Sequence, residues 1–217
     1  RSARHKRYTL KVSDGVVIAI MPERGDEHRL LSFITEKKQK LLQMLSRQPA
    51  RQVLDETTSM QTATFLLEII RENRSKTLRP VLSGGVLRIY CPLDIRFEEE
   101  KVQSLLKEIL TNVFRHEAKR VLPDRLRELA GQFGFNYTDV RINNSKTRWG
   151  SCSGGKKINL SLSLMQLPWH LIDYVLLHEL CHTVEMNHSD RFWALMDRVT
   201  NNQAKKHRKE LKQYHIL

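Results

Sequence analysis

The alternation of apolar and polar positions changes period along this chain, and each change marks an element. Tyr8, Leu10 and Val12 alternate with polar neighbours ahead of Asp14-Gly15, and the apolar run VVIAIM follows from Val16. Period-two alternation around an Asp-Gly pair predicts a β-hairpin with a tight turn. Between 27 and 46, Leu30, Leu31, Ile34, Leu41, Leu42 and Leu45 keep helical spacing and predict one long helix. The stretch SRQPARQVLDETTSMQT from Ser46 has no period and reads as a loop or an insertion. FLLEII from Phe65, then TLRPVLS and VLRIYC on either side of Gly84-Gly85, predict two or three strands with a Gly-Gly turn.

The pattern turns helical near Phe97. FEEEKVQSLLKEILTNVFRHEAKRVL is amphipathic, with acidic residues at its start where they complement the helix dipole. Pro123 is expected to end this helix and open a second, PDRLRELAGQFG. YTDVRINNS and INLSLSL, from Tyr137 and Ile158, read as strands. A long helix is expected from Pro168, then two shorter ones over DRFWALMDRV and QAKKHRKELKQY. The expected fold class is α+β, with a β-rich region holding one long helix over 1–96 and a second region over 97–217. No repeat and no long linker is visible, so the two halves are expected to pack as one unit.

Composition narrows this picture only in part. Hydrophobic residues make up 40% of the 217, enough for a real core. Cys91, Cys152 and Cys181 are odd in number and widely spaced, which points to a reducing, cytoplasmic compartment rather than a disulfide framework. VVIAIM is too short to span a bilayer, and the basic C-terminal helix has little apolar face, so no membrane partner is expected. A net charge of +13 suits an acidic partner such as nucleic acid, through the N-terminal RSARHKR and KKHRKELKQ from Lys205. Both segments are short and lack interleaved aromatics, and a solvated basic face explains them as well.

The chemistry is concentrated in HELCHTVEMNHSDRFW, from His178. His178 and His182 are four apart, so a helix sets both imidazoles on one face, where they can hold a single ion. Glu179 lies beside the first ligand, placed to take a proton from a metal-activated water without ligating. Ile172, Leu176 and Leu180 lie on one face of the helix, and Leu171 and Val175 in line with the histidines. That describes a buried helix, whose histidines need partners. Glu185 shares the histidine face, but seven residues along a helix is roughly 10 Å, too far to share one ion. A third ligand must come from chain that has left the helix and turned back. His188 is assigned, with Asn187 ending the helix in a left-handed conformation and Ser189 capping the next; Asp190 and Asp197 are weaker candidates. Cys181 lies off the histidine face and reads as a packing residue. One Zn²⁺ with an open position is therefore the expected cofactor.

RWGSCS, from Arg148, is a second signal. Gly150 suggests a tight bend close to another backbone. Arg148 and Trp149 read either as cleft residues that bind substrate or as an ion-pair partner and a core residue; the residues leave this open. Together with INLSLSLMQLPWHLIDYVLLHELCH and NHSDRFW, RWGSCS closely resembles the YgjP-like metallopeptidase family, a zincin group. The resemblance runs from about Leu93 to Trp193, is looser over the N-terminal hairpin and helix, and departs from the family pattern between about Ser46 and Ser83. It implies a zincin-like catalytic half, with an active-site helix packed on a small sheet. It implies His178, His182 and His188 as zinc ligands and Glu179 as catalytic base, acting on protein or peptide. A more distant similarity joins SprT-like and WLM proteases, some of which act on proteins attached to DNA. The Gly of the metzincin turn is replaced here by Glu185.

The leading expectation is zinc-dependent peptide-bond hydrolysis, with Arg148, Tyr214 or His215 as candidate oxyanion partners. The alternatives are a metal-dependent nucleotide pyrophosphatase and a nucleic-acid-associated protease.

Overall fold

The computed structural model describes residues 7–13, 16–46, 53–74 and 76–216, which fall into two compact units, Arg1–Val53 and Leu54–Leu217. In the first unit, β1 (Thr9–Ser13) and β2 (Val16–Ile20) pair antiparallel with Ser13 opposite Val16. The turn residues Asp14 and Gly15 lie outside the described residues, as does most of RSARHKR. α1 (Glu27–Glu36) is capped by Asp26, whose side chain accepts from the His28 N–H. The Asp26 N–H donates to the Tyr8 hydroxyl at 2.8 Å, tying hairpin to helix. The single helix expected over 27–46 is two, because α2 (Lys38–Ser46) starts after a break at Lys37 (φ −93°, ψ 3°). Between Ile34 and Leu41 every residue is polar, so no apolar anchor holds the middle turn.

The second unit opens with a mixed sheet in the order β3-β4-β6-β5: β3 (Met60–Gln61), β4 (Leu66–Arg71), β5 (Arg79–Ser83) and β6 (Val86–Cys91). β4 and β6 run parallel, and the outer pairings are antiparallel. Gly84 and Gly85 join β5 to β6 with φ of 57° and 74°, positive values that a side chain would oppose. Leu67, Ile69, Leu87, Ile89 and Cys91 form the buried face.

That face belongs to one core with α3 (Glu100–Phe133). The break expected at Pro123 does not occur: α3 runs through it for 34 residues, roughly 50 Å. Leu106, Leu110, Phe114, Ala118, Leu122, Leu126 and Ala130 are buried at every fourth position, so the apolar stripe is unbroken on both sides of the proline. Burial along that stripe outweighs a lost backbone hydrogen bond and the ring's clash, about 3 kcal/mol. Gly134 then closes the helix at φ 71°.

A second, three-stranded sheet follows in the order β7-β9-β8: β7 (Asp139–Asn143), β8 (Gly150–Cys152) and β9 (Lys157–Ser161). Gly150 begins a strand rather than making a bend; the turn is at 153–156, with Lys156 at φ 57°. The strand expected over INLSLSL stops at Ser161, whose side chain accepts from the Ser163 N–H and caps a 3-10 helix, Leu162–Gln166. α4 (Trp169–Cys181), α5 (Asp190–Val199) and α6 (Ala204–Leu211) complete the unit.

Two contacts set α4 in place. Arg125 of α3 forks onto Asp173, with Nε–Oδ1 at 2.8 Å and Nη2–Oδ2 at 2.6 Å. The indole N–H of Trp169 donates to the Ala63 carbonyl at 3.0 Å. The boundary expected at 96/97 falls inside this unit. Among the described residues, no helix is long and apolar enough to cross a membrane.

Candidate active site

α4 is buried along most of its length, and this fixes where its polar side chains point. Leu171, Ile172, Val175, Leu176, Leu177 and Leu180 are all buried. His178 and His182 extend from the same helical face, and α4 ends at His182. The chain then turns through 182–184 and reaches His188 just ahead of α5. Asn187 is not in the left-handed region expected of it; among the described residues, the positive-φ positions other than glycine are Lys156, Asn201 and Asn202. Ser189 does cap α5, accepting from the Phe192 N–H.

These turns bring three imidazoles to one point. His182 Nε2 lies 3.2 Å from His178 Nε2, which lies 3.1 Å from His188 Nε2. His182 Nδ1 is 3.0 Å from the Glu185 carbonyl oxygen. A carbonyl only accepts, so Nδ1 carries a proton, and in the neutral tautomer this fixes, Nε2 is the lone-pair nitrogen facing His178. Burial, then His182 and His188, push the His178 pKa down to about 3, so a proton does not relieve the crowding at neutral pH. Ligand nitrogens about 2.0–2.1 Å from a tetrahedral ion stand about 3.3 Å apart. The triad therefore fits a divalent cation, and its donor set suits zinc. Asp190 and Asp197 are not in this cluster. Glu185 contributes its backbone to orienting His182 rather than its carboxylate to an ion.

α5 supplies the wall behind the triad. Phe192, fully buried, stacks on His182 (centroids 4.5 Å) and meets His178 edge-on at 4.9 Å. Trp193 stacks on His188 at 5.8 Å, and the Arg208 guanidinium lies 4.9 Å over Trp193. Tyr174, one turn before His178, is buried with its ring 6.2 Å away. Sequence reasoning missed Tyr174 and Arg208. For Tyr174 the available signal was the four-residue spacing to His178.

Glu179 is 5% exposed. Burial pushes its pKa up to about 8, and Arg148 acts in the opposite direction. Its Oε2 has no hydrogen-bond partner although buried, the mark of a group held ready for something the fold itself does not provide. The side chain lies directly under β8: a Cβ on Gly150 would stand 2.7 Å from Glu179 Oε1. Arg148 is exposed just before β8, while half-buried Trp149 packs against the core and its carbonyl accepts from the Ser161 N–H. Cys152 is half-buried with its thiol pKa raised by burial and by Glu179; Cys181 is fully buried, its pKa pushed to about 12. Neither is a poised nucleophile. Among the described residues, neither Tyr214 nor His215 hydrogen-bonds to the triad.

Comparison with known families matches residues 6–214 to the YgjP-like metallopeptidase domain. The chain belongs to the YgjP-like family. Membership makes it a metal-dependent peptidase by family, and the match runs through the stretch from 46 to 83 that departs from the expected pattern. Among solved structures it is similar to the metallopeptidase zymogen abylysin of Pyrococcus abyssi, at 24% identity over 45% of this chain and 100% of that one, with a TM-score of 0.39. A search of curated proteins finds no match.

Proposed function

We propose that this YgjP-like protein hydrolyses peptide bonds with one zinc ion held by His178, His182 and His188, and with Glu179 as general base. The observation that carries the reading is the pairing of three converging Nε2 atoms with a buried carboxyl that has an unpartnered oxygen. A bound zinc ion supplies Lewis acidity, polarising a carbonyl and bringing the pKa of water toward neutrality. Glu179 must be ionised to accept a proton, and the neighbouring cation and Arg148 both favour the carboxylate. Its Oε2 takes the proton of the attacking water and delivers it to the departing amine.

β8 supports the placement of the substrate. It is the outer strand of its sheet, whereas β9 lies between β7 and β8, so β8 rather than INLSLSL is the edge to which an extended peptide adds by main-chain hydrogen bonds. Arg148, at the mouth of that edge, is assigned to the substrate carbonyl or carboxylate, and Trp149 to holding the strand in place. A three-imidazole cluster gives no support to the nucleotide pyrophosphatase alternative, because phosphate sites favour carboxylate-held Mg²⁺ or Mn²⁺. A reducing, cytoplasmic setting is supported by three free cysteines. The exposed Lys205, Lys206 and Lys209 on α6 support nucleic acid as an additional partner, to be read as binding that falls steeply with salt.

The test is Glu179→Gln beside the wild type, with metal content and digestion of an unbiased peptide library measured on both. Retained zinc with turnover lost supports the reading; full activity of the variant ends it.

A further inference from the structure

α6 reads from sequence as a basic helix with a solvated face, yet two of its polar side chains turn inward. His207 and Glu210 are three apart and share the face directed at α4. There they meet His170, in the first turn of α4. His170 Nε2 lies 2.8 Å from Glu210 Oε1, and the His170 and His207 rings are 5.5 Å apart. One donor atom from each of the three lies within 4.8 Å of the other two. The Nδ1 of His207 is buried and has no hydrogen-bond partner.

We propose that His170, His207 and Glu210 form a second zinc site, separate from the triad, that clasps α6 onto the start of α4. Two imidazoles and a carboxylate are a common zinc donor set. Donors around such an ion stand about 3.3 Å apart, so the His170–Glu210 pair opens slightly and His207 closes in, movements that side-chain torsions supply. His170 is exposed and the other two are partly so, which leaves the ion a route in and a position for water. A plain His170–Glu210 ion pair accounts for one of these contacts. It leaves the buried His207 nitrogen unanswered.

The two sites are linked by position and differ in ligands. His170, Tyr174, His178 and His182 follow at four-residue intervals along one stripe of α4. The Tyr174 ring stands between the clusters, 5.8 Å from His207 and 6.2 Å from His178. The residue after His207 is Arg208, which lies over Trp193 beside the triad. Clasping α6 therefore holds Arg208 where it faces the first site.

The experiment uses the full chain, stripped with chelator and dialysed against zinc at micromolar free concentration, with bound zinc counted per chain and thermal unfolding followed with and without the metal. The proposal expects two zinc ions in the wild type. It expects one in His178→Ala/His182→Ala and one in His170→Ala/His207→Ala. Glu210→Gln, nearly isosteric, is expected to keep the fold by circular dichroism and weaken the second ion at least tenfold. Zinc should still raise the unfolding temperature of His178→Ala/His182→Ala, and Glu210→Gln added to that background should abolish the rise. A single wild-type ion that Glu210→Gln leaves in place, or a second ion that survives both His170→Ala/His207→Ala and Glu210→Gln, overturns it. Failure of the triad reading would look different: the ion lost would be the one insensitive to Glu210→Gln.

Discussion

Gly150 and Glu179 come from different elements, yet the side chain of one occupies the space that a Cβ on the other would need. Oε1, Cγ and Cδ of Glu179 would all stand within 2.9 Å of that added carbon. The backbone of β8 is the lid over the buried carboxyl, and only glycine lets it close. Gly150→Ala is expected to displace Glu179 and cut peptidase turnover at least tenfold while zinc content stays near wild type. Overpacking of this kind costs about 1–3 kcal/mol of stability. Peptide turnover and metal content, measured together, check this.

Stability of the metal-free protein should depend on pH in a way that Glu179 reveals. The folded carboxyl titrates near pH 8 against an ordinary value of 4.5, so the folded state holds the extra proton between those limits. Its contribution is fully present below about pH 4.5 and is lost as pH rises toward 8. The shift is worth on the order of 3–5 kcal/mol. His178 works the other way: with its pKa lowered from 6.5 to about 3, it makes stability rise with pH across that interval. Glu179→Gln removes the falling limb and keeps the rising one. Denaturant titrations in chelator between pH 4 and 9 would show wild type and variant diverging as pH rises.

Pro123 sits inside α3 without ending it. Pro123→Ala restores a helical N–H and removes the ring's clash with the preceding turn. After allowance for the freer unfolded chain, the substitution is expected to stabilise by about 1–2 kcal/mol. A higher urea midpoint with an unchanged slope is the signature to look for.

Arg125 and Asp173 join α3 to α4 through two parallel hydrogen bonds. The pairing holds the guanidinium's pKa above its usual value. With side chains 36% and 25% exposed, solvent screens much of the attraction. A double-mutant cycle with Arg125→Ala and Asp173→Ala should give a coupling of about 1 kcal/mol.

How much of this was readable beforehand depended on the range of each interaction. His178 and His182 are one helical turn apart, so their convergence follows from local geometry. The turn back to His188 was sound in outline, though Asn187 does not make it: the helix ends five residues earlier, at His182. The Gly-Gly turn at 84 and 85 was legible because its backbone demand is local. Pro123 misled because the rule that proline ends helices is also local, while the stripe from Leu106 to Ala130 is held by packing from outside the helix. The contact between Gly150 and Glu179 spans 29 positions, and no spacing rule reaches that far. The inward face of α6 was visible as His207 and Glu210 three apart, but their partner His170 lies 37 positions earlier.

α3 has a consequence for anyone wishing to isolate the catalytic half. Its stripe meets the first sheet at one end, where Phe114 stacks on Phe65 at 5.8 Å, and carries α4 at the other through Arg125. A fragment starting at residue 97 would leave Phe114 without Phe65 and strip Leu67, Ile69, Leu87 and Ile89 from the core that α3 shares. Such a fragment should aggregate rather than digest anything. The histidines occupy barely a dozen positions, but the core that holds them extends to the strands that begin near residue 60.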